Sequence, residues 1–123
     1  MSDTVKKFLQ NINAETKKYY PPESAKNMAK RAIAWREKYG SEVKGGTQVG
    51  WTRARQLASG DGLSLDIVKR MCAFRRHQKN YEKARSKPEF KREPWKSRAI
   101  VAWMIWGGTT GVNWACKISE ANK

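Results

Sequence analysis

The stretch "GWTRARQLASGDGLSLDIVKRM", residues 50–71, decides the fold. Trp51, Ala54, Leu57 and Ala58 recur at helical spacing and make a narrow apolar stripe, with Arg53 and Arg55 pointing away from it. Gly60-Asp61-Gly62 breaks that segment. Ser64 then stands where its hydroxyl can accept an N–H two or three residues on, and Asp66 complements the positive end of the helix dipole. Helix, turn and capped helix predict a helical hairpin at about 50–79. That layout serves DNA-reading modules and ordinary helical bundles alike.

On a wheel the second helix collects Ile67, Val68, Met71, Cys72 and Phe74 on one apolar arc. Arg75 falls inside that arc. Either the helix bends near Phe74, or Arg75 is semi-buried and paired, or its stem packs while its head reaches water. Pro88 and Pro94 prevent a continuous helix through 79–96, so a helical tail to about Arg85 and then an exposed loop are expected. Phe90 and Trp95 are the points where that loop would touch the body. Ser97 can cap the run 99–106, eight consecutive apolar residues that have no polar face and must be buried. Gly107-Gly108 ends that helix, and a last one is expected from about Gly111 to Glu120. The glycines there read as close helix contacts.

Upstream, Pro22 suits a helix start and Gly40 a stop, which bounds a helix over Glu23–Tyr39. Val5, Phe8, Leu9 and Ile12 predict a further N-terminal helix, joined through the Pro-Pro linker within 1–22. No alternating strand pattern and no internal repeat occur. The fold class is all-α: a single compact domain, 1–123, of five to six helices around a Trp-rich core. The length suits one domain, and six tryptophans supply large buried area.

Charge is uneven. The chain carries 26 lysines and arginines against 11 acids, net +15. Residues 69–98 hold twelve of the basic side chains and three acids, whereas 41–68 are neutral. The commonest reason for a field that strong in thirty residues is a polyanionic partner, and an acidic protein or an anionic membrane surface would also satisfy it. The candidate nucleic-acid-binding residues are Lys69, Arg70, Arg76, His77, Lys79 and Lys83. Arg85, Lys87, Lys91, Arg92, Lys96 and Arg98 continue them, with Arg53 and Arg55 as a secondary pair. Lys69 to Arg85 are expected to share a basic face on one helix and its extension. Tyr81, Phe90 and Trp95 are interleaved, and aromatics beside a basic groove can stack on unpaired bases.

The segments "WREKYG" (35–40), "GGTQVGWTRARQLASGDGLS" (45–64), "VKRMCAFRRHQKN" (68–80) and "AWMIWGGTTGVNWA" (102–115) together resemble a small domain of bacteriophages and prophages. That domain occurs alone or appended to head-assembly proteins such as prohead proteases and portal-associated proteins. The resemblance spans roughly 30–118, the phage-type core. It implies a phage setting and carries no catalytic residues onto this chain. Relatives often have a Gly/Pro/Ser-rich insert after the Arg-His pair, where this chain has the basic run 79–96. The N-terminal helix is also its own.

Catalytic patterns are sparse. His77 is the one imidazole, set between Arg76 and Lys79, and could act as a base on a phosphodiester only in a small His-dependent nuclease. Cys72 and Cys116 have no metal-ligand spacing and no nucleophile partner, and read as reduced, buried small hydrophobes. No phosphate-cradling P-loop occurs. No cofactor and no metal are expected. No signal peptide or membrane-length apolar run is seen, so the expected location is host cytoplasm or virion, not secreted and not at a membrane.

A true helix-turn-helix reader would insert the N-terminal half of its second helix into the major groove. Here that half offers Ser64, Leu65, Asp66 and Lys69, a poor set for reading bases, and the turn is long. The expectation is a phage-encoded, non-enzymatic, small basic protein that binds the phosphate backbone of nucleic acid with little sequence preference, DNA being favoured over RNA without the sequence separating the two. The alternative is an interaction module of phage assembly or host takeover docking an acidic phage or host protein.

Overall fold

The computed structural model describes residues 17–123. The helix expected around Val5–Ile12 lies outside them. Seven α-helices follow in order: α1 Glu23–Tyr39, α2 Gln48–Ser59, α3 Leu65–Ala73, α4 Gln78–Arg85, α5 Pro88–Arg92, α6 Arg98–Ile105 and α7 Gly108–Ala121. Short 3-10 turns fill Gly40–Glu42, Phe74–His77 and Pro94–Lys96. One isolated antiparallel bridge, Tyr19 to Leu63, ties the lead-in chain to the turn before α3. The domain is all-α, as the sequence predicts; α5 is a five-residue helix beyond the five to six expected.

Local chemistry sets the ends. Pro22 caps α1 rather than entering it, and Gly40 closes it at φ 54°. Thr47 starts α2 three residues earlier than its apolar stripe suggests, because its Oγ1 accepts the Gly50 N–H at 3.0 Å. Ser64 Oγ accepts the Ile67 N–H at 3.3 Å, and the buried Ser97 Oγ accepts the Ile100 N–H at 3.2 Å. Both serine caps stand where the sequence places them. α7 begins at Gly108 rather than Gly111.

α6 is the central rod: Ile100, Val101, Trp103, Met104 and Ile105 are all buried. α1 faces the core with Ala25, Ala29 and Ala32, one stripe of small side chains. That stripe lets α7 approach closely: a Cβ at Gly111 would stand 3.0 Å from the Ala25 Cβ. Trp51 and Trp103 are buried; the remaining tryptophans are partly buried at the margin of the core.

The hairpin expected at about 50–79 needs correction. Its two arms are consecutive, but they do not pack chiefly on each other. α2 lies along α1, and α3 lies along α7. The apolar arcs explain this: Ala54 and Leu57 join the main core, while Cys72 reaches toward α7. The second arm also stops early. The helix gives way to a 3-10 turn at Phe74–His77, the bend the wheel had offered as one explanation of Arg75. Arg75 is exposed, and its Nη2 donates to Asn113 Oδ1 at 2.9 Å.

Two further expectations change. The segment after Arg85 is not an open loop, since α5 and the Pro94–Lys96 turn fold it back onto the body. Trp95 anchors it by stacking on Tyr39 with ring centroids 3.8 Å apart. The cysteines are not reduced thiols: Cys72 and Cys116 form a disulfide, S–S 2.08 Å, that joins α3 to α7. They lie 44 residues apart, and only the pairing of those two helices brings them together. Among the described residues, no helix is long and apolar enough to cross a membrane.

Candidate nucleic-acid interface

All eleven lysines and arginines predicted between residues 69 and 98 as contacts are exposed. They do not form one face. The 3-10 turn at Phe74–His77 separates Lys69 and Arg70 on α3 from Lys79, Lys83 and Arg85 on α4. The chain then folds back, so Arg70, Arg76, Lys83, Arg85, Lys87, Lys91, Lys96 and Arg98 are distributed around three grooves, while Lys69, His77, Lys79 and Arg92 line none of the three.

The first groove is a cleft of about 380 Å³ between α1, α4, α5 and the α6–α7 corner. Arg85 and Lys91 line it, and Arg31 of α1 joins them. Its walls include Trp35, Tyr81 and Phe90, and Thr109 and Thr110 stand at the start of α7. No carboxylate lines it. Tyr81 and Arg85 are four residues apart, one turn of α4, so both reach the same side. The Arg85 guanidinium sits 5.7 Å from the Tyr81 ring centroid. Trp103 stacks on Tyr81 with ring centroids 5.4 Å apart.

The second groove lies across Phe90 from the first and shares that side chain as a wall. Asn80, Lys83 and Lys87 recur on one side of α4 and its extension, and Lys96 and Arg98 face them. Lys87 Nζ rests 5.9 Å from the Phe90 ring centroid. The two grooves therefore make one basic surface with an aromatic ridge.

The third groove is different in kind. Arg70 and Arg76 flank an apolar trough floored by Phe74, Ile105 and Trp106 and edged by the exposed Val49. It belongs to the margin between α2, α3 and α6, not to the Phe90 surface.

Pairing decides which cations are available. Arg70 is bonded to Asp66 at 3.3 Å. Lys96 is held by Glu93 and by Glu42 at 3.6 Å, and the bond to the Glu93 carboxylate raises its pKa above the usual lysine range. Among the described residues, Lys69, Arg76, Lys79, Lys83 and Arg85 have no carboxylate in ion-pair range. The same holds for Lys87, Lys91, Arg92 and Arg98. Surface pairs as exposed as those of Arg70 and Lys96 contribute little to stability, but they offset charge that a phosphate would otherwise meet.

His77 is half-buried, tilted against Phe74 at 4.6 Å, and its Nε2 accepts from Arg76 Nε at 3.2 Å. That bond occupies one of the two ring nitrogens. Trp95, one of the three interleaved aromatics, is committed to Tyr39 and Trp35 and is a fold anchor rather than a free stacking face. Of the secondary pair, Arg53 Nη1 donates to Gln56 Oε1 at 3.0 Å, while its buried Nε has no partner among the described residues. Arg55 is exposed beside Arg36, whose guanidinium lies 4.7 Å from the Trp51 ring centroid.

Sequence reasoning missed Arg31, Trp35, Thr109 and Thr110. Arg31 carried only the general signal of a basic N-terminal third, and nothing local links it to Lys91, sixty residues on. Comparisons with protein-family models, curated proteins and solved structures found no match to this chain.

Proposed function

We propose that this protein binds nucleic acid without catalysing a reaction, through the Phe90 surface, by sequence-tolerant contact with the phosphate backbone. The observation that carries the reading is that Lys83, Arg85, Lys87, Lys91 and Arg98, exposed around Phe90, lack a carboxylate partner among the described residues. Evenly paired surfaces do not accumulate such a surplus, whereas a phosphate backbone supplies the missing counter-charge. The motifs that resemble the phage domain support a phage setting. Of the two expected locations, the disulfide supports the virion, since oxidising surroundings preserve such bonds and the cytoplasm reduces them.

Titrating labelled duplex DNA, single-stranded DNA and RNA at two salt concentrations tests the proposal. Binding that weakens steeply with salt is expected, and no binding to any of the three at low salt refutes it.

A second reading has its own observation. The trough of Val49, Phe74 and Trp106 between Arg70 and Arg76 offers apolar contact flanked by positive charge, which suits an acidic protein segment. Partners retained from virion or host lysate after nuclease treatment, and lost on Arg76→Glu, would support it. For a His77-dependent nuclease, turnover of nucleic acid by wild type and not by His77→Ala is the required result.

A further inference from the structure

We propose that the cleft between α1, α4, α5 and the α6–α7 corner receives one unpaired nucleotide of a single strand, base inside and phosphate at the rim. The inference rests on the nucleic-acid reading and adds which form of nucleic acid the surface prefers.

The cleft combines two chemistries that a duplex cannot use together. Its interior is apolar and aromatic, with Met28, Trp35, Tyr81, Phe90 and Met104 among the lining residues. Its cations, Arg31, Arg85 and Lys91, come from three separate helices, and no acid accompanies them. A duplex keeps the faces of its bases stacked inside and presents phosphates, sugars and base edges, so an aromatic recess finds no base face to stack on. An unpaired base exposes its π-face, and stacking on aromatic side chains is tolerant of base identity. The volume, about 380 Å³, lies at the low end for small-molecule sites and suits a single ring system rather than a helical groove.

The recess is built into the fold. Trp103, also a lining residue, stacks on Tyr81, and its Nε1 donates to Thr109 Oγ1 at 3.2 Å, which ties the α4 wall to the start of α7. At the floor, Gly108 packs against Met28; a Cβ there would stand 3.0 Å from Met28 Cγ. Bulk at that corner would push Met28 into the recess. The second groove, lined by Lys83 and Lys87, continues across the Phe90 wall and would carry the neighbouring phosphates of the same strand.

The test uses a single strand of about ten nucleotides, within the usual site size of single-strand binders. It is compared with a duplex of the same sequence and with an abasic strand of the same length. Wild type is expected to bind the single strand tightest, and to lose about fivefold or more on the abasic strand, which keeps the phosphates but has no base. Arg31→Ala, at an exposed position, is expected to weaken single-strand binding about tenfold while leaving duplex binding within about twofold. Lys83→Ala/Lys87→Ala is expected to weaken both, since those side chains meet phosphate alone. Equal affinity for abasic and normal strands, or equal losses on strand and duplex for Arg31→Ala, would overturn the cleft assignment while leaving backbone binding standing. No binding to any of the three would instead remove the nucleic-acid reading itself.

Discussion

Gly46 shows how narrowly single residues are constrained here. Its φ is 76°, and a Cβ would collide with the Trp51 indole and press on Ile105 Cδ1. Gly46→Ala is expected to cost about 1–3 kcal/mol from backbone strain, with the clash adding to it. Urea denaturation of the two proteins measures this directly. Ser97 is a second such point: it is 3% exposed, and its hydroxyl caps the most buried helix. Ser97→Ala should lose about 1 kcal/mol, whereas Ser97→Thr, which keeps the hydroxyl, should lose less if the cap is the reason for the serine. Among the cations, Lys96 is the instructive case. Counting charge along the chain assigns it to the binding set, but its bonds to Glu93 and Glu42 offset the charge it would bring to a phosphate. Lys96→Ala is therefore expected to change nucleic-acid affinity less than Lys91→Ala, compared by titration at one salt concentration.

At the level of elements, those bounded by a local signal were legible. α1 runs from Glu23 to Tyr39 because Pro22 and Gly40 fix its ends, and both serine caps act as their spacing implies. What the sequence concealed were the pairings between elements. The glycine turn before Ser64 suggests two arms folded together, yet α2 takes α1 and α3 takes α7. The disulfide follows from that exchange of partners, because neither cysteine has a local feature that marks it. The candidate cleft was hidden for the same reason: Arg31, Arg85 and Lys91 each look like solvated charges until α1, α4 and α5 converge. The cross-link closes a 44-residue separation, so chain-entropy reasoning assigns it about 4 kcal/mol. Reduction, or Cys72→Ser/Cys116→Ser, is expected to lower Tm by about 10 °C or more. An unchanged Tm under reducing conditions would show that packing of α3 on α7 holds without it.

For the whole molecule, the central claim is that unpaired positive charge around Phe90 is there to meet phosphates. The fold makes that surface by breaking the basic segment at Phe74–His77 and folding it back on α6, so residues distant in sequence share two adjoining grooves. The most direct measurement is the dependence of log affinity on log salt for duplex DNA, for wild type and Lys83→Ala/Lys87→Ala. Each neutralised phosphate contributes about −0.9 to that slope. The account predicts a steep negative slope for wild type and one shallower by about 1.8 for the double variant, if each lysine meets one phosphate. A slope near zero, or one unchanged by removing both lysines, would contradict it.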